Sequence, residues 1–166
     1  MNNLLKKSAL PIIVIAILAF LALQLSNKPT APDVQFNTID GKQISMASLK
    51  NQVVLVNFWA TDCPGCIKEM PQLISTYKQY HQKGFEIIAV AMPYDPPAQV
   101  LNYATHKSLP FPVMHDGLGV ITRKFGKVNL TPTAFIYDKQ GRLLQHTIGE
   151  LDFNALQQLL NKELSI

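Results

Sequence analysis

The chain has two cysteines among its 166 residues, and they stand two residues apart in the stretch ATDCPGCIKEMP, residues 60–71. A C-x-x-C pair suits a redox-active dithiol, half of a metal site or a short structural staple. A purely structural disulfide is the weakest of these, because so short a loop constrains the unfolded chain little. The spacing therefore indicates either thiol–disulfide chemistry or metal binding at Cys63 and Cys66.

The residues around the pair favour thiol–disulfide exchange. A buried strand, VVLVNF, is predicted just before the pair and a helix just after it, which places Cys63 at the helix N-cap. There the unpaired backbone N–H groups and the helix dipole stabilise a thiolate over a thiol. Pro64 suits the first helical position, and Gly65 lets a partner's backbone approach closely. Cys66, most of a turn further on, is then positioned to attack a mixed disulfide formed on Cys63.

The elements that must position the pair follow from the apolar pattern after residue 33. Continuous β-branched runs predict buried strands, and Pro-initiated or Gly-terminated stretches predict helices. The expected order is a hairpin over residues 33–46 turning at Asp40-Gly41, strand VVLVNF, a helix from Pro64 to about Gln82, strand EIIAVAM, helix PPAQVLNYATHKS, short helix LGVITRKFG, strands TAFIYD and RLLQHTI, and helix DFNALQQLLNKEL capped by Asp152. This is an α/β layout around a mixed sheet.

The first 32 residues have a different character. Lys6 and Lys7 precede an uncharged apolar run over residues 9–25, which is near the length of about 20 residues that spans a bilayer. We expect an uncleaved membrane anchor here. The main alternative is a cleaved signal peptide, which usually has a shorter apolar region. A buried core helix is the third interpretation. The two lysines favour a cytoplasmic N-terminus and export of the rest. We therefore divide the chain into an anchor and linker, residues 1–32, and one domain, residues 33–166.

Several stretches along this domain occur in the order DGKQISMASLKNQVVLVNFWAT, CPGCIKEMP, FEIIAVAM, LPFPVMHD and FGKVNLTPTAFIYDKQGRL. Through them residues 33–164 resemble the TlpA/ResA-like thiol-disulfide oxidoreductases, membrane-anchored thioredoxin-fold proteins of the bacterial periplasm. The resemblance implies a thioredoxin-like α/β fold with an N-terminal β-hairpin at residues 33–46 and a central helical insertion at residues 95–125. One transmembrane anchor helix would precede this fold.

The resemblance also implies the roles of individual residues. Cys63 would attack the substrate, Cys66 would resolve the mixed disulfide, and no cofactor would be required. A cis peptide is expected between Thr131 and Pro132, with Pro132 shaping the docking surface and the Thr131 backbone pairing with a substrate's chain. The expected substrate-contacting residues are Trp59, Asp62, Pro64, Gly65 and Thr131.

Glu69, three residues after Cys66, matches a carboxylate that handles the proton of the active-site thiols in related proteins. A solvated helix glutamate beside Lys68 is the alternative interpretation. The proton-handling role gains support from Asn57, which stands where thioredoxins proper carry a buried acid. Asp62 departs from the family, which commonly has Trp before the first cysteine; it removes an apolar cover and adds a negative charge.

Other functions are less compatible with the sequence. A zinc site needs about four ligands, but the four histidines are scattered. A copper-binding module using the Cys pair with His115 or Met92 stays open as an alternative. A peroxide-reducing relative would have Thr three residues before its reactive cysteine, whereas Thr61 is two before. The net charge of +4 comes without a basic block, so nucleic acid is not expected as a partner.

We therefore expect a membrane-anchored periplasmic oxidoreductase that reduces disulfides in exported proteins. Its partners would be those proteins, an upstream membrane or periplasmic electron donor of the thiol-disulfide pathway, and the membrane through the N-terminal helix. Cytochrome c maturation and copper-site assembly for cytochrome oxidase are possibilities at the level of the family.

Overall fold

The computed structural model describes residues 11, 13–17 and 28–165. Residues 13–17 are helical, and most of the predicted anchor over residues 9–25 lies outside the described residues. Within the described ranges, no helix combines the length and the apolar character needed to cross a membrane.

The centre of the fold is a mixed β-sheet preceded by a hairpin. The strands are β1 (Gln35–Asn37), β2 (Gln43–Ser45), β3 (Val53–Trp59), β4 (Phe85–Ala91), β5 (Val113–His115), β6 (Thr133–Tyr137) and β7 (Leu143–Ile148). The main sheet has the order β5-β4-β3-β6-β7, with β3, β4 and β5 parallel and with β6 and β7 antiparallel to their neighbours. Every residue of β3 and β4 is buried, as their continuous apolar sequences predict.

Helices cover both faces of this sheet. They are α1 (Pro64–Tyr80), α2 (Pro97–His106), α3 (Val120–Lys124) and α4 (Phe153–Leu164), with short 3₁₀ turns at Met46–Leu49 and His81–Lys83. Leu55 and Trp59 of β3 pack with α1, α2 and α4 on one face. Val56 and Phe58 pack with the hairpin and α3 on the other. The two-residue period of the strand thus divides its side chains between two separate cores.

The start of α4 at its Asp152 cap and the chain reversal at Gly84 are as predicted. The side chain of Asp152 accepts hydrogen bonds from the backbone N–H groups of Asn154 and Ala155 at the start of α4. Gly84, with φ of +97°, ends the turn that follows α1, a conformation that favours glycine. The sequence therefore determines both the start of α4 and the reversal between α1 and β4.

The central insertion differs from the expectation. Residues 95–125 hold the two predicted helices, but between them lies a strand that was not predicted, β5, which extends the sheet beyond β4. The strand is three residues long and lies between Pro112 and Asp116, so it is too short to give a periodic signal.

The hairpin turns at Asp40-Gly41 as predicted and closes one edge of the main sheet. Ile39 N–H donates to the carbonyl of Val113 at 2.8 Å, and Thr38 forms a bridge with Met114. At the opposite edge, Thr30 forms a bridge with Arg142 beside β7.

Candidate active site

The two cysteines form a disulfide at the point where β3 gives way to α1. Cys63 is the N-cap of α1, and its Sγ accepts a hydrogen bond of 3.2 Å from the backbone N–H of Cys66. Pro64 takes the first helical position, as predicted. Cys63 is 8% exposed and Cys66 is fully buried, so the first cysteine is the more accessible of the two.

The cis-proline loop lies against the first turn of α1. The peptide between Thr131 and Pro132 is cis, which confirms the expectation. A Cβ placed on Gly65 would lie 3.4 Å from Cδ of Pro132 and 3.4 Å from Cγ of Glu150. Gly65 therefore lies between Pro132 and Glu150 with room for no more than ordinary contact, and this packing brings Pro132 beside the dithiol.

Glu69 is buried beneath the dithiol rather than solvated. Its surface is 3% exposed, and it lies one turn after Cys66 on the same face of α1. Oε1 accepts a hydrogen bond of 3.0 Å from Asn57 Nδ2, and Oε2 accepts one of 3.1 Å from Leu151 N–H. The interpretation of Glu69 as a solvated helix residue is therefore wrong.

The environment of Glu69 changes its acidity. Burial raises the pKa of Glu69 above its ordinary value of 4.5, although the hydrogen bonds from Asn57 and Leu151 oppose this rise. The negative charge of Glu150 adds to the rise in pKa. The carboxyl group can therefore take up and release a proton at a higher pH than a solvated glutamate would.

Trp59 is not a substrate-contacting residue. Its side chain is fully buried, and its ring lies 5.3 Å from that of Tyr103, between ring centroids. The indole Nε1–H is buried and has no hydrogen-bond partner among the residues that the structure describes. The resemblance implied contact with a substrate, but Trp59 ends β3 with its side chain directed into the α1-side core.

The other predicted substrate-contacting residues lie at the surface around the dithiol. Asp62 and Pro64 are exposed, and Gly65 and Thr131 are half-buried. Thr131 Oγ1 lies 3.3 Å from the hydroxyl of Tyr94, a residue that the sequence did not single out. The fold thus brings these positions together around Cys63, while their roles in binding stay predictions.

Asp95 fixes the loop that leads to Cys63 and was missed in the sequence. It is 2% exposed, and its Oδ2 accepts a hydrogen bond of 2.7 Å from Thr61 N–H. Its Oδ1 accepts one of 2.6 Å from the Thr61 hydroxyl. The position of Asp95 just after β4 was the available signal, because neighbouring parallel strands end at the same edge of a sheet.

Glu150 was also missed, and no local pattern marks it. It forms an ion pair with Lys68 of α1, with Nζ and Oε2 2.7 Å apart. The next residue, Leu151, donates its backbone N–H to Glu69. Glu150 thus contacts the surface of α1, and the next residue, Leu151, contacts the buried carboxyl group of Glu69.

The residues proposed for copper are not assembled with the Cys pair. Met92 packs in the core on the hairpin side of the sheet, whereas Cys63 belongs to the α1 side. His115 lies at the end of β5, two strands away from β3. Residues 28–165 and the short described segment before them hold no group of three or more His, Cys, Asp and Glu side chains placed to bind a metal.

The fold and the dithiol define a thioredoxin-like thiol-disulfide oxidoreductase. The redoxin family model matches residues 26–160, and the chain belongs to this family. A thiol-disulfide oxidoreductase ResA of Bacillus thuringiensis subsp. konkukian (strain 97-27) is 36% identical over 132 residues, which cover 80% of this chain and 75% of that protein. The resemblance to the TlpA/ResA-like proteins is thereby confirmed.

Solved structures support the same assignment. A thiol:disulfide interchange protein of the thioredoxin family from Chlorobium tepidum TLS superposes with a TM-score of 0.76 at 28% identity, covering 84% of this chain and 98% of that one. StoA from Bacillus subtilis superposes with a TM-score of 0.66 at 26% identity, covering 78% and 98%.

Proposed function

We propose that this oxidoreductase reduces disulfides in exported proteins, working in the periplasm from the bacterial inner membrane. The apolar run over residues 9–25, with Lys6 and Lys7 before it, supports an anchor whose C-terminal side is exported. The observation that carries the reaction is the unequal exposure of the two cysteines, because the more accessible Cys63 suits an attacking thiol and the fully buried Cys66 suits a resolving thiol.

The acidic surroundings of the dithiol support the reducing direction. Asp62 directly precedes Cys63, and Asp95 binds the loop that leads to Cys63. Glu69 lies beneath Cys66. Glu150 contacts the first turn of α1. The cation beside this group, Lys68, is paired with Glu150. Negative charge disfavours the thiolate, and destabilising the reduced dithiol makes it the better electron donor.

The reaction proceeds in two exchanges. Cys63 loses its proton to water, and its thiolate attacks one sulfur of a substrate disulfide. That S–S bond breaks, and the first substrate cysteine leaves as a thiolate that takes up a proton from water. Cys66 then gives its proton to Glu69 and attacks the sulfur of Cys63. The mixed disulfide breaks, and the second substrate cysteine leaves and receives that proton. Two electrons and two protons have moved to the substrate, and the Cys63–Cys66 disulfide remains.

A thiol donor must then reduce that disulfide, and no bound cofactor takes part. We propose an upstream membrane or periplasmic dithiol protein in this role. During docking, the buried Pro132 shapes the surface and the Thr131 backbone pairs with the substrate's chain. Asp62, Pro64 and Gly65 contact that chain. Apocytochrome c, which carries a close cysteine pair, and proteins that assemble the copper site of cytochrome oxidase are the proposed substrates.

Trapping partners on the full-length chain tests this function. A Cys66→Ser variant should accumulate mixed disulfides with exported proteins, because the resolving thiol is missing, whereas Cys63→Ser should form none. These adducts should sediment with membranes and be digested by protease added to spheroplasts. Equal alkylation of both thiols in the reduced protein would contradict the division of roles, and adducts protected from protease would contradict the location.

A further inference from the structure

We propose that a cavity beside the start of β4 binds a small-molecule primary amine with an apolar body, and that the ammonium group of this ligand pairs with the carboxylate of Glu86. We call this space the Glu86 cavity. Its volume is about 630 Å³, and small-molecule sites commonly enclose about 300–1,000 Å³. The hairpin turn, the last turns of α2 and the segment that leads to β5 form its wall. Binding at this cavity does not depend on the proposed disulfide exchange.

The Glu86 cavity lies where the main sheet is incomplete. β5 pairs with β4 only over Ala89–Ala91, so within the described chain no strand lies beside the first half of β4 on that side. Glu86 is the second residue of β4 and pairs with Val54, whereas the dithiol follows Trp59 at the other end of β3. The step from Val54 to Trp59 covers about 17 Å at about 3.3 Å per residue. The cavity and the dithiol are therefore separate sites.

The carboxylate of Glu86 has no permanent cation beside it among the described residues. Glu86 is 8% exposed, and its Oε1 accepts a hydrogen bond of 2.9 Å from Ile87 N–H. Its ion-pair partner is His81, whose Nδ1 lies 3.6 Å from Oε2 and is charged only when protonated. A buried carboxylate without a cation is costly, and burial accordingly raises the pKa of Glu86. A cation supplied by a ligand would offset this cost.

The other charged groups of the cavity favour an amine over an acid. Lys42 lines the cavity, but its ammonium group lies 2.7 Å from the carboxylate of Asp40 and is paired with it. The charge that is left without a partner is the negative charge of Glu86. Tyr77 and Phe111 line the same cavity, with ring centroids 5.5 Å apart, and aromatic faces attract cations.

An apolar wall accompanies the charged group. Leu101 and Ala104 of α2 line the cavity, as does Leu109 in the segment that follows the helix. Leu101 is 49% exposed, so its side chain is open to a ligand. Small-molecule sites typically combine such apolar walls with a few polar groups that fix the orientation of the ligand. An ammonium group at Glu86 and an aromatic or branched aliphatic body against the leucines would satisfy both parts.

Three matched probes test the proposal on the full-length protein in a non-ionic detergent at pH 8. They are 2-phenylethylamine, the neutral 2-phenylethanol and the anion 3-phenylpropionate. NMR titration should show that the amine binds about tenfold more tightly than the alcohol, because its hydrogen bond to Glu86 is charge-assisted on both sides. The anion should not bind. The amide signals of Glu86 and Ile87 should move on addition of the amine.

Two variants separate the charged contact from the apolar one. Glu86→Gln retains an oxygen for Ile87 N–H but loses the charge, so it should reduce the amine-to-alcohol ratio of affinities to about twofold or less. Leu101→Ser should weaken binding of both the amine and the alcohol by about threefold and should preserve their ratio. Glu163→Gln, on α4 and outside the cavity wall, is the matched control and should change neither affinity.

Equal affinities of the wild type for the amine and the alcohol would overturn the proposal, as would tighter binding of the anion. An unchanged ratio in Glu86→Gln would also overturn it, because the amine would then be held elsewhere. Should Glu86→Gln fail to fold, the wild-type ratio, the shifts at Glu86 and Ile87 and the Leu101→Ser variant still decide the outcome. These affinities are measured without thiol exchange, so a negative result leaves the proposed function untouched.

Discussion

Glu69 Oε1 lies 3.0 Å from Nδ2 of Asn57, so the carboxyl group of the active-site helix is held against the central strand. Leu151 N–H holds the other oxygen, and burial raises the pKa of the group. Oδ1 of Asn57 is buried and has no hydrogen-bond partner within the described part of the chain. The side-chain amide of Asn57 on β3 and the carboxyl group of Glu69 on α1 together form the candidate proton site.

Glu69→Gln should slow the resolution step about tenfold or more, because the variant cannot accept the proton of Cys66. The fold should tolerate Gln: its carbonyl can accept from Leu151 N–H, and its amide can donate to Asn57 Oδ1 once the Asn57 amide turns over to exchange Oδ1 and Nδ2. Stopped-flow measurement of disulfide exchange between pH 5 and pH 9 should show the change in rate and in its pH dependence. Glu163→Gln, on α4, is the control, and an unchanged pH–rate profile in Glu69→Gln would remove Glu69 from the mechanism.

The same carboxyl group should make stability depend on pH. Below the ordinary pKa of 4.5 it is neutral in both the folded and the unfolded protein. Above that pH the unfolded chain ionises first, so the free energy of unfolding should fall until the raised folded pKa is passed. Urea titrations should show wild-type stability falling relative to Glu69→Gln as pH rises above 4.5. Glu86 is also buried with a raised pKa, but it is present in both proteins and cancels in this difference. A difference that does not vary with pH would contradict the prediction.

Glu150→Gln should lower the pKa of Glu69, because it removes a negative charge that raises that pKa. The pH–rate profile of the variant should therefore move toward lower pH. This shift should be smaller in high salt than in low salt, because Glu150 is partly exposed and salt screens its charge. NMR titration of a 13C-labelled Glu69 carboxyl group would measure the change directly. A shift toward higher pH would mean that the ion pair of Glu150 with Lys68, and not its charge alone, controls Glu69.

The hydrogen bonds between Asp95 and Thr61 should stabilise the loop before Cys63. Thr61→Val removes the hydroxyl donor and leaves a buried acceptor without it, which should cost about 1–3 kcal/mol of unfolding free energy. Thr61→Ser retains the donor and should cost less. A double-mutant cycle with Asp95→Ala should give a coupling of roughly 0.5–3 kcal/mol, since the groups are in contact. Additive losses would show that the two side chains act independently.

Gly65→Ala should impair the docking of protein substrates without destabilising the fold. The added methyl group would lie 3.4 Å from Pro132 and Glu150, within ordinary contact, so the fold should accept it. Replacing a helical glycine should raise stability by roughly 0.5–1 kcal/mol. The methyl group would fill the space between α1 and Pro132, so exchange with protein disulfides should slow more than exchange with glutathione disulfide. Equal rates with both would mean that substrates do not approach Gly65.

The sequence predicts those parts of the fold that local physics determines. β3 and β4 follow from continuous apolar runs, and the start of α1 follows from Cys63 and Pro64. The hairpin turn follows from Asp40-Gly41. β5 could not be predicted by the same means, because a strand of three residues carries too little pattern.

The residues of the candidate site likewise include some that the sequence predicts and some that it does not. The Cys pair and Glu69 could be found because they lie close together on one helix. Asp95 and Glu150 could not, because their contacts with Thr61 and Lys68 depend on chain segments that are distant in sequence. Trp59 was misplaced for the opposite reason, since its sequence position is next to the site while its side chain is directed into the core.

The attachment of the hairpin to β5 has a consequence for self-association. An edge strand offers unpaired N–H and C=O groups to any strand of another molecule, and this is a common route to aggregation. Here the Val113 carbonyl is already bonded to Ile39 N–H, and Met114 is bridged by Thr38. A second copy therefore meets no free backbone at this point of the edge, and the turn that begins the domain blocks cross-β stacking there.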